Sequence, residues 1–168
     1  MTRLATKIAT KNEWTQIADL TKVAYAEYAR NADPDFWSMY ELHTRDLLLN
    51  DESLIRLVIL DGDEIAASAI YVPPSKRAVG GKIIDNKYPE MRLLSVHPNH
   101  RNKGLANKLI EACEDKARDE GFEFMTLHTT SLMTTARAMY ERRGYERFEE
   151  LDFKPIPSFT VWGYIKKL

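Results

Sequence analysis

A chain of 168 residues fits one domain better than two, and at this size it buries roughly 70% of its unfolded surface, enough for a core without staples. Its single cysteine, Cys113, excludes an internal disulfide framework and suits a reducing compartment. Lys plus Arg number 24 against 25 Asp plus Glu, a formal net charge of −1, whereas a general nucleic-acid binder carries a basic excess. The longest stretch free of Asp, Glu, Lys and Arg, residues 124–136, falls far short of the roughly 18 apolar residues of a membrane span. Arg3, Lys7, Lys11 and Glu13 interrupt any apolar leader. The expectation is a soluble, cytoplasmic protein with one domain over residues 1–168 and neither nucleic acid nor membrane as a partner.

Residues 4–9 read as a short strand. Ile17, Leu20, Ala24, Tyr25 and Tyr28 then recur at helical spacing. Asp33-Pro34 opens a second helix, with Asp33 as cap and Pro34 in first position, running through Trp37 and Tyr40 to Leu49. Residues 54–60 and 65–72 read as strands joined at Asp61-Gly62, a tight-turn pair. Pro73-Pro74 ends the second of them. Residues 75–89, with Gly80-Gly81 and four cations, read as a long loop or ragged hairpin. A strand over 91–96 precedes the clearest helix, 104–118, which carries Leu105, Leu109, Ala112 and Cys113 on one face and stops at Gly121. A strand over 122–128, a helix over 134–143 and strands over 145–153 and 159–165 complete the chain. This order predicts an α/β (α+β) fold with a mixed sheet and helices on its faces.

The neutral total hides a local imbalance. From Met91 to Ile110 there is no acidic residue, while Arg92, Arg101, Lys103 and Lys108 stand there with His97 and His100. Within this stretch Arg101-Asn102-Lys103-Gly104-Leu105-Ala106 joins a strand to a helix. A helix N-terminus offers unpaired N–H groups and a positive dipole end, so it can bind anions. Gly104 lets a phosphate approach the backbone, and Ala106 keeps the turn uncrowded. A diphosphate site is one reading; a helix start among solvated cations is the other. Neither a G-x-x-x-x-G-K-[ST] loop nor a G-x-G-x-x-G turn occurs.

Arg101 to Ala106 resembles the R/Q-x-x-G-x-G/A signature of the GNAT superfamily of N-acetyltransferases. Leu93-Leu94-Ser95-Val96-His97-Pro98 resembles that family's fourth strand, and Ala136 to Tyr145 its A-x-x-x-Y-E-x-x-G-F/Y segment. The resemblance implies a mostly antiparallel sheet of about six to seven strands flanked by about four helices. It implies acetyl-coenzyme A as cosubstrate, its pyrophosphate on Arg101, Asn102, Lys103, Gly104, Leu105 and Ala106. Its pantetheine arm would pair with the backbone of Leu94, Ser95 and Val96. A primary amine, on a small molecule or a peptide, then attacks the thioester directly, which needs a neutral amine and a proton for the departing thiolate. Tyr140 stands where the family places its general acid; without the resemblance it reads as a buried aromatic. Glu90 stands where members often hold a glutamate that deprotonates the amine through water, and reads equally as a strand-end glutamate.

Met133 stands where the family often has an asparagine, which puts the details of coenzyme contact in question. A non-catalytic acyl-coenzyme A module is therefore the rival reading. His97, His100 and His128 with one cysteine make a zinc site improbable, so no metal is expected. Phe36, Trp37 and Tyr40 can pack the core or wall an acceptor pocket. Lys76, Arg77, Lys82 and Lys87 read as a solvated loop or as contacts to an anionic acceptor or the coenzyme's ribose phosphate. The acidic group Glu146, Glu149, Glu150 and Asp152 reads as a solvated strand face or a contributor to substrate selection. A homodimer through the last strands is compatible with such a domain.

Overall fold

The structure, a computed structural model, describes residues 4–168; Arg3, one of the charges read at the start of the sequence, lies outside the described residues. The chain divides into two compact units, the first running to Tyr71 and including Leu93–Cys113, the second comprising Val72–Arg92 and Glu114–Leu168.

The first unit begins with strand β1 (Thr6–Ile8) and helix α1 (Trp14–Tyr25), which continues as a 3-10 turn over Ala26–Asn31. Helix α2 (Pro34–Asn50) starts as its sequence dictates: Pro34 is in the first turn and the Asp33 carboxylate accepts the Phe36 N–H at 2.9 Å. Strands β2 (Ile55–Asp61) and β3 (Glu64–Val72) form an antiparallel hairpin turned at Gly62-Asp63, and β1 pairs antiparallel with β2. Arg56 of β2 is almost fully buried. Its guanidinium stacks 3.6 Å over the Trp14 ring and donates to the carbonyls of Leu48, Leu54 and Asp51, closing the carboxyl end of α2. Those carbonyls have no helical partner of their own, so the arginine replaces the missing donors.

Strand β6 (Glu90–Val96) belongs to both units. Its last residues lie beside β3, where His97 N–H donates to Ala66 O at 2.9 Å, giving the first unit the order β1-β2-β3-β6. Its first residues pair in parallel with β7 (Phe124–Thr129), Glu90 opposite Thr126 and Met91 opposite Leu127. Helix α3 (Leu105–Asp119) buries Leu105, Leu109, Ile110, Cys113 and Ala117, the stripe expected from the 3.6-residue period.

In the second unit β7 pairs antiparallel with β10 (Phe159–Lys167), and β10 carries β8 (Glu146–Arg147) and β9 (Phe153–Ile156). Helix α4 (Thr134–Arg142) precedes β8. Among the described residues the result is a mixed α/β fold with four helices and a mostly antiparallel sheet. It has more strands than expected: eight in the main sheet and two in a separate hairpin. Of the two readings of residues 75–89, loop or ragged hairpin, the structure shows the second: β4 (Ser75–Val79) and β5 (Lys82–Asn86), turned at Gly80-Gly81. One expectation is corrected. The expected strand over 145–153 is interrupted, because residues 149–151 form a 3-10 turn that buries Leu151.

Candidate active site

The first unit contains the candidate phosphate loop, residues 101–106. Arg101 to Gly104 are exposed, and Asn102 (φ 61°) and Gly104 (φ 75°) are left-handed. Such backbone curls and turns its N–H groups to one side. Gly104 serves the turn twice: its φ suits no ordinary side chain, and no atom lies within 4 Å of where a Cβ would stand. The open space, the α3 N-terminus and the cationic side chains fit a diphosphate. The two long cations differ in what they do. Arg101 is tied to α1, donating to Ala24 O at 3.1 Å and pairing with Glu27 at 3.2 Å, so it braces the loop. Lys103 has no ion-pair partner among the described residues.

Upstream, Leu93 takes φ 51° inside β6, a bulge-forming conformation for a non-glycine residue. Ser95 faces inward, 1% exposed, its hydroxyl donating to Leu93 O at 3.0 Å and lying 3.4 Å from the Thr21 hydroxyl. Leu94 and Val96 alternate with it and are half-buried. Any ligand contact at Ser95 therefore runs through its backbone.

Thr21 also lines a cavity of about 230 Å³ between α1 and α2, walled by Tyr25, Trp37, Tyr40, Glu41 and Leu48 among others. Trp37 Nε1 donates to Glu41 at 3.1 Å, and the Trp37 and Tyr40 rings lie 5.1 Å apart. Burial pushes the Tyr40 phenol up to about 12, against the pull of its hydrogen bond with Thr44. The two aromatics are thus both packing and pocket wall.

The second unit holds Tyr140 and Glu90. Tyr140 is 6% exposed on α4, its ring edge-on to Tyr145 at 6.1 Å. Tyr145 in turn donates to the buried Glu114, which also receives Lys166 and Arg143. Met133 caps α4 without a side-chain bond; Thr130 Oγ1 accepts the Leu132 N–H at 3.2 Å nearby.

Glu90 is 2% exposed and both its oxygens are engaged. Arg92 Nε donates to one at 2.6 Å, and His128 Nδ1 meets the other. The His128 Nε2 lies 2.8 Å from Leu151 O. Burial alone would raise the Glu90 carboxyl, but the charges and hydrogen bonds of His128 and Arg92 outweigh it and hold the group well below the usual carboxylate range. Glu90 is a buried, ionised carboxylate, not an exposed strand end. The sequence marks Arg92 among the cations of the acid-free stretch and His128 among three histidines, but pairs neither with Glu90. The i, i+2 spacing of Glu90 and Arg92 on one strand face was the available signal for one of them; nothing local points to His128.

Residues 14–145 match the acetyltransferase (GNAT) family, and the chain belongs to it. An uncharacterized N-acetyltransferase of Bacillus subtilis, YhfO, is 32% identical over 99 residues, 59% of this chain and 62% of that protein. Another from Escherichia coli, YjgM, is 37% identical over 60 residues, 36% of each chain. The chain thus spans under two thirds of either relative's length. Among solved structures, the PaiA N-acetyltransferase of Thermoplasma acidophilum in complex with coenzyme A superposes with a TM-score of 0.73 at 11% identity, covering 99% of both chains. A GNAT-family acetyltransferase of Staphylococcus aureus gives 0.72 at 12% identity with the same coverage. At those identities the likeness is one of fold. No helix among the described residues is long and apolar enough to cross a membrane.

Proposed function

We propose that the chain transfers an acetyl group from acetyl-coenzyme A to a primary amine on a small molecule or peptide, by direct attack on the thioester. The observation that carries this is the phosphate loop: an exposed, cationic, left-handed turn at Gly104 with open space above it, leading into α3. Family membership supports the same reading. Lys103 and the N–H groups of residues 102–106 would hold the pyrophosphate, with Arg101 fixing the loop. The backbone of Leu94, Ser95 and Val96 would hold the pantetheine arm. When bound, acetyl-coenzyme A supplies the activated acyl group.

The amine must lose its proton before it attacks, and the thiolate must gain one as it leaves. Tyr140 is the proposed proton donor to sulfur. Glu90 has its proton affinity suppressed, which makes it a weak base, so its proposed part is to hold Arg92 and His128 in place.

The test is free thiol release with acetyl-coenzyme A over an amine and peptide library. Turnover is expected with at least one amine, and Tyr140→Phe is expected to lower kcat about 100-fold, within the range for losing a general acid. Unchanged turnover in that variant overturns the role of Tyr140. Coenzyme binding with no turnover across the library supports the non-catalytic reading, which Met133 at the start of α4 favours. The proposed setting is cytoplasmic, and light scattering tests the homodimer.

A further inference from the structure

The β4–β5 hairpin is docked firmly in its own unit. Lys82 Nζ donates to Glu150 O at 3.1 Å and Asp152 O at 2.8 Å, and Asn86 donates to the Thr126 hydroxyl at 2.7 Å. At the tip, a Cβ on Gly80 would stand 1.8 Å from Lys154 O, so the turn lies directly on β9. Along β4 the covered positions are Ser75, Arg77 and Val79, while Lys76 and Ala78 are exposed. Arg77 is therefore held inward by a fixed hairpin.

Its guanidinium lies 5.2 Å over the ring of Phe153, and His128 meets the same ring edge-on at 5.2 Å. The nearby carboxylates of Glu90 and Asp152 are already engaged. The Glu90 oxygens are taken by Arg92 and His128, and Asp152 is held by Arg147 at 2.6 and 2.9 Å. Among the described residues no carboxylate pairs with Arg77. Burial lowers the Arg77 guanidinium from its ordinary value, Arg92 adds to this and Glu90 opposes it. A half-buried guanidinium with no ion-pair partner among the described residues is costly, and an external anion lowers the cost.

We propose that Arg77, presented across Phe153 from the Glu90–Arg92–His128 cluster, anchors a subsite for a carboxylate carried by the amine acceptor. The acceptor class is then amino acids and other carboxylate-bearing amines. This rests on the reading of the chain as an N-acetyltransferase. Planar, bidentate pairing of guanidinium with carboxylate gives such a subsite its selectivity over neutral analogues. A second source of anion is the 3′-phosphate of the coenzyme, and the test separates the two.

Initial rates of thiol release are measured with the twenty amino acids, each beside its own carboxamide. For the accepted side chains, wild type is expected to favour the acid over the amide in kcat/KM by about tenfold or more. Arg77→Gln is expected to bring that ratio towards one, Arg77→Lys to retain part of it, and the exposed neighbour change Lys76→Gln to leave it intact. Melting curves establish that the variants fold. Equal rates for acids and amides in wild type overturn the proposal while leaving acetyl transfer standing. So does an Arg77→Gln enzyme whose acid preference persists while its KM for acetyl-coenzyme A rises and 3′-dephospho-acetyl-coenzyme A abolishes the difference. If no amine is acetylated, the function reading falls. Calorimetric titration with N-acetyl amino acids and their amides then decides the subsite alone: Arg77-dependent binding of the acids supports it, and equal or absent binding overturns it.

Discussion

Glu90 illustrates how a residue's surroundings, more than its type, set its chemistry. From the sequence it is a carboxylate near the start of a strand, equally suited to proton transfer and to solvent. In the structure it is enclosed by Arg92 and His128, and the pair of contacts keeps it ionised. Because it titrates lower in the folded than in the unfolded chain, its stabilising contribution is complete above the ordinary carboxylate value and is lost as the pH falls below it. Glu90→Gln leaves Arg92 and His128 without their counter-charge, which is expected to cost about 3–5 kcal/mol at pH 7. The gap between wild type and variant should shrink by about 1.4 kcal/mol per pH unit below about 4.3. Urea unfolding of both proteins at pH 7 and pH 3.5 checks this. A gap below about 1 kcal/mol at pH 7, or one that widens in acid, would sink the account.

At the scale of elements, the β4–β5 hairpin shows where sequence patterning leaves two readings open. A half-buried strand is recognised by alternating apolar and polar residues. In β4 the covered positions are Ser75, Arg77 and Val79, so the alternation is masked by an arginine turned inward. Gly80-Gly81 then suits a loop and a hairpin alike, and two left-handed residues in succession are what a tight hairpin turn requires. The helices were legible because their signals are local: the Asp33-Pro34 start of α2 and the apolar stripe of α3 depend on neighbours within a few residues. The two glycines of the turn make a paired test. Gly81 has open space around its Cβ position, so Gly81→Ala should cost only the left-handed penalty, about 1–2 kcal/mol. Gly80→Ala adds a collision with the Lys154 carbonyl, and its cost should exceed that of Gly81→Ala by about 1–3 kcal/mol. Chemical denaturation of the two variants ranks them, and equal costs would show that the tip does not bear on β9.

At the scale of the whole molecule, the near-zero net charge and the candidate coenzyme loop answer different questions. The total excludes a basic track, while the acid-free stretch from Met91 to Ile110 concentrates cations where α3 begins. That stretch was legible because the chemistry of a phosphate site is carried by a short contiguous segment. The Arg77 and His128 surroundings were not, since they assemble residues from β4, β7 and β9 that no local spacing connects. A compact anion site and a nucleic-acid track respond differently to ligand and salt. Acetyl-coenzyme A at 100 times its Kd should stabilise the fold by about 2.7 kcal/mol, raising Tm by about 5–10 °C. Lys103 is the loop cation with no ion-pair partner among the described residues, so Lys103→Gln should weaken coenzyme binding about fivefold and flatten its dependence on salt. Duplex DNA at matched phosphate concentration should leave Tm unmoved. Thermal melts at 50 and 500 mM salt, with coenzyme and with DNA, measure all three. A rise in Tm with DNA that collapses steeply in salt would instead place the cations of this stretch on a nucleic-acid backbone.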